Sequence, residues 1–229
     1  LRSAKNRIEY ILKGEGMETF EPHFTFQGFR YVLIEEYPGD VDIENFEAVV
    51  IHSDMERVGD FSCSNELVNQ LHHNILWGLK GNFVDIPTDC PQRDERLGWT
   101  GDAQVFMKTA CYLKDVRVFF KKWFRDIRAG QLDDGGIPYV IPDVLTEINE
   151  DGSVSDNHSA TGWGDAAVIC PWTLYLTHGD KRILEEQYDS MKAWIEYIRG
   201  KAQDGVLWNT GFHYGDWVAL DAKEGSYFG

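Results

Sequence analysis

The sequence is short of positive charge. It has 22 Lys and Arg against 38 Asp and Glu in 229 residues, which gives a formal net charge of −16 at pH 7. A protein that binds nucleic acid or an anionic membrane surface needs a basic face that displaces counterions or attracts acidic lipids. The composition therefore argues against both kinds of partner.

Cysteines and long apolar runs are also scarce. The chain has four cysteines and no CxxC pair: Cys63, Cys90, Cys111 and Cys170. Because this spacing matches neither a zinc site nor a disulfide framework, we predict free, buried thiols. No apolar run approaches the roughly 20 residues that a transmembrane helix needs.

We predict neither a metal ion nor a cofactor. His72 and His73 have no third ligand at metal-binding spacing. The acidic segment 151–156 lacks the glycine and the closing glutamate of a calcium loop. Both features are more typical of ordinary surface or packing residues.

The composition is otherwise typical of a soluble globular protein, with 43% hydrophobic and 26% charged residues. At about 150 residues per domain, the length predicts between one and two domains. The chain opens at Leu1 without an initiator Met or a secretory signal, so we expect a piece of a longer protein. The compartment therefore stays open between cytoplasm and periplasm or medium.

The first 57 residues have the composition of β-structure. Three segments rich in aromatic and β-branched residues predict strands: 24–26, 29–34 and 46–52. So few strands cannot form a sandwich of their own. We therefore predict that residues 1–57 are the C-terminal part of a β-sandwich domain whose start lies outside this chain.

From Phe61 onward the apolar residues recur with the helical period. Five helices are predicted: from 62–64 to 81, from 101 to 112, from 115 onward, after 163, and from 181 to 198. We expect the apolar stripe of the third helix, and Trp172 and Trp194 on later helices, to lie in the core. Helices of similar length joined by long loops indicate a mainly α array of helical hairpins.

The segment 85–102 is the densest candidate site, with five acids, two arginines and a tryptophan. Loops held by a rigid scaffold often carry catalytic groups. A solvated acidic loop is the alternative, but Leu97 and Trp99 favour partial burial. Buried carboxylates must be paired, hydrogen-bonded or protonated. A carboxyl group beside an aromatic ring, with a raised pKa, can act as a general acid.

Residues 88–102 read TDCPQRDERLGWTGD, and this run resembles the signature of the bacterial α-L-rhamnosidases of glycoside hydrolase family 78. Residues 24–31, FTFQGFRY, look like the last β-domain before that family's catalytic barrel. Three further segments look like later parts of the barrel: 137–143, 162–167 and 214–217.

The resemblance implies the first half of a six-hairpin (α/α)6 toroid barrel, with residues 58–229 as an incomplete catalytic domain. It also implies hydrolysis of terminal non-reducing α-L-rhamnose from glycosides or polysaccharides, with inversion. The rest of the same polypeptide would complete the barrel. The alternatives are another six-hairpin glycosidase or lyase, or a non-catalytic rhamnose-binding protein.

Carried over position by position, the resemblance makes Glu95 the general acid. The residues that it assigns to binding rhamnose are Asp89, Arg93, Trp99, Asp102, Trp163 and Trp217. These residue types suit a 6-deoxy sugar, because carboxylates accept from sugar hydroxyls, Arg donates to them, and aromatic rings cover apolar faces. Asp143, Asp165 and Asp216 stay open between sugar binding and a turn or capping role.

Inversion also needs a second carboxylate about 6.5–9.5 Å from the acid, with room for a water between them. In the family this base is a glutamate in the second half of the barrel, and the chain stops before that region. The acids at 185, 186, 196 and 224 lie in the wrong context, so none of them is predicted to be the base.

Overall fold

The computed structural model describes Ser3, residues 5–217 and Ala219. Glu224 therefore lies outside the described residues. The described part contains five helices: α1 (Glu66–Asn82), α2 (Thr100–Leu113), α3 (Arg117–Gly130), α4 (Ala166–His178) and α5 (Arg182–Lys201). A 3-10 helix at Ile43–Asn45 precedes them, and two short antiparallel strands, β1 (Phe83–Val84) and β2 (Ile86–Pro87), follow α1. The five predicted helices and the mainly α fold are confirmed.

Helix α1 begins and ends later than predicted. Its N-cap is Asn65, whose side-chain oxygen accepts from the amide of Leu67 at 3.0 Å, so the serines at 62 and 64 stay outside the helix. The helix also continues through Gly81, because Phe83 donates its amide to the carbonyl of Leu79. Helix α4 ends as glycine would predict, at the left-handed Gly179.

The core lies where α4 packs against α2, α3 and α5. Helix α3 contributes the predicted apolar stripe, which is buried: Phe119, Phe120, Trp123, Phe124 and Ile127. Trp194 is buried as predicted. The prediction for Trp172 was wrong, since this residue is 48% exposed. It lies two residues beyond the buried Cys170, about 200° around the helix from the face that packs.

The three predicted strands are absent from the described residues of 5–57. An extended segment becomes a strand only when a neighbour completes its hydrogen-bond ladder. Here the backbone bonds outside the 3-10 turn lead to the helical part: Ser53 donates its amide to Phe83 at 2.8 Å, and Glu56 accepts from Asp115 at 2.8 Å. The division into domains at residue 57 stays a prediction.

The four cysteines are free, as predicted, but only Cys111 and Cys170 are buried. Cys63 is exposed, as are its neighbours in the segment before α1. No helix among the described residues is long and apolar enough to cross a membrane.

Candidate active site

The candidate site is built on residues 88–99, which connect β2 to α2 and are called the signature loop below. At its first end, Thr88 donates both its amide and its hydroxyl to the carbonyl of Asn82, each at 2.8 Å. The loop then closes on itself. Asp89 donates its amide to Leu97 at 3.1 Å, and its Oδ1 accepts from the amide of Leu97 at 3.1 Å. One Asp89 oxygen therefore shapes the loop.

The other end is fixed to the connection between α3 and α4. Thr100 donates its amide and its hydroxyl to the carbonyl of Tyr139, at 2.9 and 3.0 Å. Ile141 donates its amide to Gly98 at 2.8 Å. A Cβ on Gly98 would lie 2.1 Å from the Ile141 oxygen, so only glycine allows this approach.

Glu95 lies inside the signature loop among the predicted polar residues. Its side chain is 12% exposed and forms an ion pair with Arg93 at 2.6 Å. One potential ligand atom each from Asp89, Cys90 and Glu95 lies within 4.8 Å of the others. These three are the one such group of metal-ligand types in the described part of the chain. The guanidinium of Arg93 already pairs with the Glu95 carboxylate. The arrangement therefore suits an ion pair better than a bound cation.

The acids of the site interact electrostatically. The pKa of Asp102, in the first turn of α2, is raised by partial burial and then by the negative charges of Asp89 and Glu95. Burial, together with a hydrogen bond to Asp89, raises the pKa of Cys90 to about 11. Cys90 therefore stays neutral near pH 7 and adds no charge. Asp102 keeps an exposed surface and can contact a ligand.

The three predicted tryptophans meet around a residue that the sequence did not single out, Tyr214. The ring centroid of Tyr214 lies 6.0 Å from that of Trp99, 4.2 Å from Trp163 and 5.6 Å from Trp217. Trp163 also covers the start of α2, where a Cβ on Gly101 would lie 2.9 Å from its ring. The structure thus brings the predicted aromatic residues together, and Trp163 packs at the start of α2, the helix whose first turn carries Asp102. In the sequence, the one indication for Tyr214 is that it begins the segment 214–217, which resembles a later part of the family's barrel.

A polar network around the buried His158 was not predicted. His158 is 2% exposed; its Nδ1 lies 2.8 Å from Ser159 Oγ, and its Nε2 lies 3.1 Å from Asp134 Oδ2. Ser159 in turn donates to the carbonyl of Ile137 at 2.8 Å. The network holds the connection that anchors Thr100. Asp134 is distant from His158 in the sequence, and no spacing marks these two as neighbours.

Two of the open aspartates have structural roles. Asp165 accepts from the amide of Gly162 at 2.7 Å and from the indole of Trp194 at 2.9 Å. Asp143 accepts from two backbone amides in the turn that follows it, at 3.1 and 3.0 Å. For Asp216, the choice between sugar binding and capping stays open.

Family models match most of the chain. The model described as the bacterial alpha-L-rhamnosidase six-hairpin glycosidase domain matches residues 56–228, and the bacterial alpha-L-rhamnosidase concanavalin-like domain matches residues 1–52. Curated relatives include an alpha-L-rhamnosidase of Formosa agariphila, 44% identical over 98% of this chain and 23% of the relative. One from Streptomyces avermitilis is 42% identical over 95% of this chain and 20% of the relative. The chain thus spans about a fifth of the length of these relatives.

Solved structures agree with this match. The structure of alpha-L-rhamnosidase from Dictyoglumus thermophilum superposes with a TM-score of 0.84 at 41% identity, covering 96% of this chain and 23% of that chain. The Streptomyces avermitilis enzyme complexed with L-rhamnose gives 0.80 at 42% identity, covering 91% and 19%. These findings confirm the resemblance read from residues 88–102. The chain belongs to the bacterial α-L-rhamnosidase six-hairpin glycosidase family.

Proposed function

We propose that the protein is an inverting α-L-rhamnosidase that removes terminal α-L-rhamnose from glycosides or polysaccharides. The observation that carries the proposal is the position of Glu95, largely buried, paired with Arg93 and close to Asp89 and Asp102. The solved relative from Streptomyces avermitilis is complexed with L-rhamnose, which supports the substrate class.

In the proposed reaction, protonated Glu95 donates its proton to the glycosidic oxygen as the bond between that oxygen and the anomeric carbon breaks. Water attacks the anomeric carbon from the opposite face and gives its proton to a second carboxylate, which leaves rhamnose with inverted configuration. In this proposal the second carboxylate is a glutamate from the later part of the family's barrel, outside this chain.

The surrounding residues would bind the sugar. Asp102 and the second oxygen of Asp89 would accept from rhamnose hydroxyls, and Arg93 would donate to them. Trp99 and Trp163 would cover the apolar faces of the sugar.

The test is Glu95→Gln in the full-length protein, assayed on two rhamnosides that differ in leaving group. An alkyl rhamnoside needs a proton on its leaving oxygen, so we expect its kcat to fall about 10²- to 10⁴-fold. The leaving group of a 4-nitrophenyl rhamnoside needs little protonation, so kcat on this substrate should fall much less. Glu185→Gln, on the exposed first turn of α5, is the matched control. A near wild-type rate of Glu95→Gln on the alkyl rhamnoside would contradict the assignment. Rhamnose binding without turnover in every variant, wild type included, would instead favour a binding protein.

A further inference from the structure

The signature loop makes contacts on two sides. Arg93 and Glu95 pair with each other in the acidic site. The residues between and beside them contact the N-terminal part of the chain instead: Gln92, Asp94 and Arg96. Glu95, the predicted acid, therefore lies between two residues, Asp94 and Arg96, that contact the N-terminal part of the chain.

Two of these contacts come from residues 26–28. The guanidinium carbon of Arg96 lies 4.1 Å from the centroid of the Phe26 ring, within the range of a cation–π interaction. Gly28 lies so close to the loop that a Cβ there would be 2.4 Å from the Cα of Gln92. Residues 26–28 are half-buried, whereas residues 23–25 and 29–33 on both sides of them are exposed. The segment is thus covered only where it meets the signature loop.

A third contact involves Asp94. The amide and the hydroxyl of Ser3 both donate to Asp94 Oδ2, at 2.9 and 3.0 Å. This contact is exposed to solvent, so it is weaker than one in the interior. It nevertheless lies on the same side of the loop as the contacts of Phe26 and Gly28.

Arg96 has a backbone that needs such support. Its φ is +50°, in the left-handed region that a residue other than glycine seldom adopts. Its Nε donates to the carbonyl of Pro91 at 3.2 Å, which closes the loop around Glu95. Because Arg96 directly follows Glu95, its backbone conformation sets the direction in which the Glu95 side chain leaves the chain.

We propose that Phe26, Gly28 and Arg96 are positioning residues for the general acid. Phe26 holds the guanidinium of Arg96 in place, Gly28 allows the backbone of Gln92 to approach, and Arg96 fixes the turn that directs Glu95. In this proposal none of the three has to contact the sugar. This inference rests on the proposed function of Glu95 and adds a role for a segment that lies about 70 residues before it in the sequence.

The test is Phe26→Ala in the full-length protein, with kcat and KM measured on an alkyl and a 4-nitrophenyl rhamnoside. A displaced acid slows proton donation but leaves the sugar contacts in place. We therefore expect kcat on the alkyl rhamnoside to fall about 10-fold and KM to stay within about twofold. On the 4-nitrophenyl rhamnoside, kcat should fall much less. Phe26→Tyr keeps a ring over the guanidinium and should restore both rates.

Control variants separate positioning from folding. Phe29→Ala removes an exposed ring three residues away and should leave both rates unchanged. Gly28→Ala should resemble Phe26→Ala, whereas Gly59→Ala, where a Cβ meets nothing within 4 Å, should not. If Phe26→Ala fails to fold, Phe26→Leu keeps the apolar volume without the ring and should show the same preference for the activated substrate.

Two outcomes would overturn the inference. One is a folded Phe26→Ala or Phe26→Leu protein with wild-type kcat on the alkyl rhamnoside. The other is an equal loss on both substrates, which indicates general destabilisation. If Glu95→Gln itself shows no dependence on the leaving group, the proposed function fails first. If Glu95→Gln shows this dependence and the Phe26 variants do not, only the positioning role fails.

Discussion

Gly98→Ala should disrupt the second end of the signature loop. The new Cβ would lie 2.1 Å from the carbonyl oxygen of Ile141. Carbon and oxygen atoms in close contact are normally about 3.3 Å or more apart, so the two segments must separate by about 1 Å. The obstacle is backbone on both sides, so no side-chain rotation relieves it.

The loss of stability can be derived from the hydrogen bonds at this junction. Separation strains the bond from Ile141 to Gly98 at 2.8 Å and the two bonds from Thr100 to Tyr139 at 2.9 and 3.0 Å. At about 1 kcal/mol for each bond, the free energy of unfolding should fall by about 2–3 kcal/mol. A shift of about 1 Å beside a catalytic group can also cost up to about 100-fold in rate.

The assay compares urea unfolding and kcat/KM of Gly98→Ala with those of the wild type, both in the full-length protein. Gly78→Ala is the matched control, because a Cβ at this position in α1 meets nothing within 4 Å. It should stabilise the helix by about 0.5–1 kcal/mol and leave kcat/KM unchanged. If Gly98→Ala has wild-type stability and activity, the close approach of Gly98 to Ile141 does not hold the loop.

Two further predictions concern stability. His158→Ala removes a hydrogen-bond partner of the buried Ser159 and opens a void, so the free energy of unfolding should fall by about 2–4 kcal/mol in urea titrations. His73→Ala, on the exposed side of α1, should change it by less than about 0.5 kcal/mol. Equal effects of the two substitutions would contradict the network. The Arg117 side chain lowers the pKa of Asp115 to about 2, so the stability from this carboxylate is present above its ordinary pKa of about 3.9 and is lost as the pH falls toward 2. Asp115→Asn should therefore remove part of the stability difference between pH 5 and pH 2, and an unchanged pH profile would refute this.

The helices were predictable because their signal is local. The apolar residues of α3 recur every three or four positions, and each of the predicted positions is buried. The same reasoning failed for Trp172, because α4 is apolar on nearly every face and the period no longer tells which face packs. Strands at 24–26, 29–34 and 46–52 failed for another reason. A strand depends on a partner elsewhere in the chain, and composition does not supply one.

The site was predictable where one continuous motif carries it. Asp89, Arg93 and Glu95 are close in sequence and come together in the structure. Tyr214 and His158 could not be inferred in this way, because their neighbours lie on segments that only the fold brings together. The contact between Phe26 and Arg96 joins positions 70 residues apart and belongs to the same class.

The two threonine anchors have a consequence for the mobility of the signature loop. At each end of the signature loop, one threonine directs two donors to one carbonyl, Thr88 to Asn82 and Thr100 to Tyr139. Loss of a single bond leaves the second donor in place, so neither end is released by one fluctuation. The loop is thus a fixed wall and not a lid.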